Sequence, residues 1–265
     1  MNLYLSYYTP SIGVRPSQFF QWGPPATSSP QLLGSSRPLR DILGSTDVNC
    51  YWEQDGTASC DPSATVWHSF ATNTHHRCGA KPDGTLWCVG ENRNNALGLP
   101  AVPVGTTTTT LAQVGTDTDW AEVGVIGNNA SAATCARKTN GRVWCWGHPD
   151  FTGTNGINVG VTPTEVSTTS FAWMRSDWER TCAGTAAGMV SCWGRDSYGG
   201  FVLPAAANVP APMPIAETYT KFEMGGHHAC GLTAAGRWRC FGWNTYGQLG
   251  VGDLVNDGVI RDLCP

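Results

Sequence analysis

The sequence predicts an all-β protein in which one small hairpin is written several times over. Three observations lead there. Five cysteine pairs, Cys50/Cys60, Cys78/Cys88, Cys135/Cys145, Cys182/Cys192 and Cys230/Cys240, each enclose nine residues. A glycine stands four positions before the second cysteine of every pair: Gly56, Gly84, Gly141, Gly188 and Gly236. No long window sustains a period of 3.6 residues, because Gly, Pro, Thr and Asn interrupt each one. A motif recurring with fixed internal geometry marks a repeat protein.

The spacing defines the hairpin. With Cys78 facing Cys88 across two antiparallel strands, the loop is Pro82-Asp83-Gly84, closed by Lys81 opposite Thr85. Three-residue hairpin loops usually end on a left-handed residue, which favours glycine. The other loops, ending on Gly56, Gly141, Gly188 and Gly236, obey the same rule. Counting outward from the turn, the cysteines fall on a non-hydrogen-bonded pair, where Cα atoms approach to about 4.5 Å. That is within disulfide range, so five local disulfides are predicted, with buried free thiols as the alternative. Each closes a short loop and contributes roughly 2–3 kcal/mol at best; its main effect is to lock the register. Zinc cysteines usually stand two to four residues apart, and a spacing of nine does not fit one site.

Around each hairpin the unit continues. Before the first cysteine runs an apolar strand that carries or opens on an aromatic, with Trp67, Trp120, Phe171 and Phe222. After the second comes an aromatic or apolar residue and a glycine, at Gly90, Gly147, Gly194 and Gly242. A polar stretch follows and ends in Leu-Gly, most clearly in ENRNNALG to Gly98 and WNTYGQLG to Gly250. The N-terminus carries a degenerate copy, with Trp22-Gly23, Leu33-Gly34, and Ser11 and Gln21 in the two cysteine places. Six units result: a degenerate first repeat over 1–38, then repeats at about 39–66, 67–119, 120–170, 171–220 and 221–265. The 28-residue step from Cys50 to Cys78 barely holds four minimal strands.

HHACGLTAAGRWRCFGWNTYGQLG and HHRCGAKPDGTLWCVGENRNNALG resemble the repeat of the regulator-of-chromosome-condensation family. The paired cysteines are similar to those of its secreted branch. The resemblance implies a closed β-propeller of four-stranded blades, normally seven in that family. Six units here favour six blades over seven, with residues 1–265 as one domain. Ring closure gives every stacked repeat a neighbour and protects its edge strands.

Composition narrows the function. Only 14% of residues are charged, and the net charge is −4. No Lys/Arg run supports a nucleic-acid surface, and no run of 18 apolar residues supports a membrane span. Eleven cysteines, ten of them in paired register, imply an oxidising compartment. The first residues, MNLYLSYYTPSIGV, lack a signal-peptide pattern. Either a leader has been removed or the chain is part of something longer.

No catalytic constellation stands out: there is no Gly-x-Ser-x-Gly elbow, no P-loop and no His-Glu-x-x-His. GQLGVG lacks the strand–helix context of a nucleotide site. His75-His76 and His227-His228 occupy matching repeat positions, so they are expected to lie apart on separate blades. One ring of each pair is expected to bond backbone within its blade while the other faces out. Asp253, Asn256 and Asp257 suggest an ordinary turn rather than a calcium loop. Tryptophans flank the second cysteine (Trp87, Trp144 and Trp238 before, Trp146 and Trp193 after), with one set expected between blades and the other partly towards solvent.

Three surface features point to decoration or linkage. Asn129-Ala130-Ser131 is a glycosylation sequon. Thr106, Thr107, Thr108, Thr109 and Thr110 form a threonine tract, read as part of the longest inter-unit loop and as an O-glycan site. Residues 204–214, PAAANVPAPMP, read as an extended connector. Cys264 has no partner at the repeat spacing, which suggests an intermolecular disulfide, a bond to a further segment, or a free thiol. The reading is a non-catalytic extracellular glycoprotein without cofactors. It would contact protein partners or itself, as a structural or assembly subunit, with a soluble inhibitor, binding module or receptor ectodomain as the alternative.

Overall fold

The computed structural model describes residues 66–127, 130–154, 160–195, 208–247, 249–255 and 257–262; before residue 66 it describes the backbone of six strands between Asn2 and Glu53. Four consecutive four-stranded antiparallel sheets, here blades I to IV, fill the region from Ser69 to Asp262. Blade I comprises Ser69–Thr72, His76–Ala80, Leu86–Glu91 and Thr107–Gln113. Blade II comprises Trp120–Gly127, Ala132–Lys138, Val143–Gly147 and Thr164–Ser167. Blade III holds Trp173–Ser176, Arg180–Gly184, Met189–Arg195 and Asn208–Thr218; blade IV holds Lys221–Gly225, His228–Leu232, Trp238–Gly242 and Asp257–Asp262. The first strands of successive blades are neighbours in that order, so the blades radiate from them.

In the middle of each blade the cysteines face each other: Cys78↔Cys88, Cys135↔Cys145, Cys182↔Cys192 and Cys230↔Cys240. All four pairs are bonded, with Cα atoms 4.1–4.2 Å apart. The turn glycines take φ of 79°, 85°, 84° and 76° at Gly84, Gly141, Gly188 and Gly236. They also join blades. The carbonyl of Gly84 accepts from Trp120 N at 3.0 Å, that of Gly141 from Phe171 N at 2.9 Å, and that of Gly188 from Tyr219 N at 2.9 Å. The approach is close enough that a Cβ on Gly84 would sit 1.9 Å from the Thr118 carbonyl oxygen.

A second seam uses the Leu-Gly loops. Asn92, fully buried, accepts from Leu97 N at 3.1 Å and donates to the Val102 carbonyl at 2.6 Å, which shapes the loop after blade I. The carbonyl of Ala96 then accepts from Trp146 Nε1 at 2.8 Å and from Thr134 Oγ1 at 2.7 Å, both on blade II. Gly98 lies against the same indole, and Gly153 against the Trp193 indole of blade III. The signature residues of one unit are therefore the packing surface of the next, and the core runs through the seams.

Two segments differ from expectation. Thr107–Gln113 and Asn208–Thr218 are not loop and connector but the outermost strands of blades I and III. β-branched threonines suit a pleated, half-exposed edge. An edge strand also tolerates proline because its outer N–H groups need no ladder partner; Pro210, Pro212 and Pro214 alternate along one.

The degenerate first unit differs too. Ser11 pairs with Trp22 rather than Gln21, in a register that sets Arg15 opposite Gln18. Cys50 lies on Asn49–Glu53, paired with Leu39–Gly44. Cys60, the sequon asparagine Asn129, and Cys264 lie outside the described residues.

Candidate functional site

Three groups of side chains stand out on this scaffold: an ion network on the innermost strands, a buried polar seam and an exposed apolar loop. In the first, Glu122 on the inner strand of blade II meets Arg137 Nε at 3.0 Å and Arg175 of blade III at 2.8 Å. It also accepts from Met174 N at 2.8 Å. Arg175 reaches on towards Glu223 of blade IV at 3.9 Å. The network ties three blades together, and every acceptor on Glu122 is matched by donors, so it reads as structural.

The second group corrects the histidine expectation. His76, His227 and His228 are all buried. Nor does His76 stay within its blade: its Nε2 lies 2.9 Å from Thr134 Oγ1 on blade II. Because Thr134 gives its own proton to the Ala96 carbonyl, it accepts from the imidazole, and the neutral ring carries its proton on Nε2. His75 is the half-buried member, with Nδ1 3.0 Å from Glu91. His227 approaches Glu179 of blade III at 3.9 Å, beside the buried pair Arg180–Asp177. The pairs do lie on separate blades, but each looks across a seam, which local sequence does not reveal.

Burial sets the ionisation of these rings. It pushes His76 down to about 3, with His75 adding to the effect. It lowers His227 to about 3 and His228 to about 4, with the Arg180 guanidinium opposing a second positive charge in both. The native state therefore keeps these rings neutral while the unfolded chain protonates them below about 6.5. Stability is fully present above that pH and is lost as pH falls towards 4 and then 3, with a slope of about 1.4 kcal/mol per pH unit for each ring held neutral. Melting temperature is expected to fall steadily between pH 6.5 and 4, and His76→Gln to flatten that fall. A melting temperature constant between pH 7 and 5 would contradict the assignment.

The tryptophans divide by burial. Trp146 and Trp193 are fully enclosed between blades. Trp87 and Trp144 are half-buried, with Lys81 3.8 Å over the first ring and Lys138 4.7 Å over the second.

The third group is the loop between the last two strands of blade IV, which displays Tyr246, Leu254 and Val255, 77%, 64% and 50% exposed. Beneath them, Asn244 accepts from Leu249 N at 3.0 Å and donates to the Asp253 carbonyl at 2.8 Å. Asp253 also accepts from Val255 N at 3.0 Å and pairs with Arg261. Its oxygens thus build a turn. Among the described residues, no group of three or more His, Cys, Asp or Glu is placed to hold a metal ion, and no helix is long and apolar enough to cross a membrane. In the threonine tract, Thr106, Thr107, Thr109 and Thr110 are exposed and Thr108 half-buried, with Thr108 Oγ1 bonding the Thr110 backbone at 3.2 Å.

The family model of the regulator of chromosome condensation (RCC1) repeat matches residues 219–248, the part of the chain that builds most of blade IV. No curated protein matches the sequence. Among solved structures, human WBSCR16 is similar over 100% of this chain and 83% of its own, at 12% identity and a TM-score of 0.77. Prp20p from Saccharomyces cerevisiae is similar over 100% and 76%, at 13% and 0.76. The ectodomain of the Physcomitrella patens receptor kinase CR4 is similar over 88% and 58%, at 17% and 0.53. Radiating four-stranded blades and these likenesses define a β-propeller. More particularly, the fold is of the RCC1 type, one stretch carries the RCC1 repeat, and each of the four described blades holds a disulfide hairpin.

Proposed function

We propose that this chain is a non-catalytic extracellular propeller, one domain over 1–265, that makes protein–protein contacts as a subunit of an extracellular assembly. The observation that carries the reading is the set of buried cystines at the blade centres, since such bonds persist in oxidising compartments. Propellers of this type serve as platforms: the Prp20p structure was described with its binding properties to Gsp1p and histones, and the CR4 structure is the ectodomain of a receptor kinase. Neither partner is carried over, because fold does not fix function. Asn129 and Thr106–Thr110 are proposed glycan sites, and Cys264 a proposed intermolecular link.

Intact mass under reducing and non-reducing conditions, with and without glycosidase, tests this reading. Five internal bonds, sugar mass and Cys264-linked multimers are the expected result. A bare monomer with one free thiol would favour the second reading, a soluble binding module or receptor ectodomain, which the CR4 likeness supports. Eleven free thiols would remove the extracellular reading altogether.

A further inference from the structure

Each blade turns one face forward to the next and one face back. Cys78 Sγ of blade I lies 3.9 Å from Thr134 Oγ1 of blade II, and His76 Nε2 lies 2.9 Å from the same hydroxyl. The first cysteine and the residue two before it therefore look forward. The residue after the second cysteine looks back, as Trp146 does towards Ala96 of blade I. In blade IV the backward side is filled, with Phe222 stacked on Trp173 of blade III at 5.5 Å. Its forward side carries His228, Cys230 and Cys240, in the places that His76, Cys78 and Cys88 hold in blade I.

No described blade lies beyond blade IV, yet its forward side is sealed from water. His228 is 4% exposed, Cys240 1%, and Leu249, the counterpart of Leu97, 0%. His76 has the Thr134 hydroxyl, but neither ring nitrogen of His228 has a hydrogen-bond partner among the described residues. On its own blade the ring lies against Gly225. A buried imidazole with no partner is costly, so the neighbour that seals this face is expected to offer it a polar group.

The chain before residue 66 contains two sheets. The hairpin of Leu39–Gly44 and Asn49–Glu53 lies beside Ser69–Thr72 of blade I, at the other end of the series. The four-stranded sheet that runs from Asn2 to Leu33 is left for blade IV. Its register is that of a receiving blade: Ser11 pairs with Trp22 as Thr134 pairs with Trp146 and Thr181 with Trp193. A hydroxyl residue opposite a tryptophan is what blade I meets on blade II. This sheet and blade IV each have four strands of their own, so neither borrows one from the other.

We propose that the N-terminal sheet is the partner of blade IV's forward face, with Ser11 in the place of Thr134 opposite His228, and Trp22 in the place of Trp146 under the loop that ends at Leu249-Gly250. The ring is then shut by a side-chain seam rather than by an exchanged strand. The inference does not depend on the assembly reading above.

A protease site inserted between Ser35 and Ser36 of the full chain tests it. Residues 1–35 contain no cysteine, so after cleavage only non-covalent contacts hold them. The fragment is expected to co-elute with 36–265 as a pair of monomer mass. His228→Leu should weaken its retention roughly tenfold and Trp22→Ala roughly thirtyfold. His76→Leu, which breaks the same bond in a seam the fragment does not make, should leave retention unchanged. A fragment that separates freely from a folded remainder overturns the inference, as does His228→Leu acting no more strongly than His76→Leu. Retention only in particles of dimer mass would make the partner a second copy's N-terminal sheet and overturn closure within one chain. Should the inserted site prevent folding, denaturant unfolding of the uncut chain replaces it: Ser11→Ala should cost stability in wild type and nothing in the His228→Leu background, and additive costs overturn the pairing.

Discussion

Trp146→Ala should lose about 3–5 kcal/mol of unfolding free energy, the range for truncating a fully buried aromatic. The indole is completely enclosed at the seam between blades I and II. It lies against Gly98, gives its N–H to the Ala96 carbonyl at 2.8 Å, and meets the Trp120 ring at 6.4 Å between centroids. No side chain on Gly98 can move into the space, and the disulfide hairpin holds the strand in place, so the cavity stays open. Trp146→Phe keeps one aromatic ring but loses part of the indole volume together with the N–H; the Ala96 carbonyl keeps Thr134 Oγ1 at 2.7 Å, so a cost below that of Trp146→Ala is expected. Trp144→Ala, two residues away on the same face but half-buried, should cost less than Trp146→Ala. Denaturant unfolding without reductant measures all three. A Trp146→Ala cost below about 1 kcal/mol would mean that the seam is not where the blades are held together.

The cysteine hairpins were legible because they are local. Ten residues of separation, a three-residue loop and one left-handed glycine determine each other without reference to the rest of the chain. The outermost strands were not legible for the opposite reason. A strand paired on one side and half-exposed needs no regular apolar alternation, so Thr107–Gln113 and the proline-bearing Asn208–Thr218 carry the composition of loops. The histidine pairs show a third case. Their repeat positions placed them on separate blades, but the partners of His76 and His227 belong to the neighbouring unit. Such contacts follow from how two blades meet. The display of Tyr246 was hidden in the same way: its loop reads like the loop after blade I, and only exposure distinguishes a residue turned to the next blade from one turned to solvent.

Arg180→Met is expected to destabilise the protein by about 3–5 kcal/mol at neutral pH, because it leaves a buried carboxylate without its counter-ion. Asp177 and Arg180 are 5% and 2% exposed in their side chains, and Arg180 reaches Asp177 Oδ2 at 2.7 Å through one terminal nitrogen and 3.1 Å through Nε. Asp177 Oδ1 is occupied by the backbone N–H groups of Glu179 and Arg180, at 3.0 and 2.9 Å. Burial raises the Asp177 pKa even with the guanidinium working against it. Removing Arg180 raises it further, and a carboxyl whose pKa is raised by folding loses stability as pH climbs through that value. The penalty should therefore be largest near pH 7 and narrow towards pH 4, where the variant's Asp177 takes up a proton. Loss of Arg180 acts in the same direction on His227 and His228, whose protonation it opposes. Adding Asp177→Asn to Arg180→Met removes the stranded charge while an amide oxygen still accepts from both backbone donors. The double variant should recover most of the loss and have a flatter pH profile. Equal penalties at pH 7 and pH 4, or a double variant no better than the single, would show that the seam depends on the packing of the arginine stem rather than on its charge.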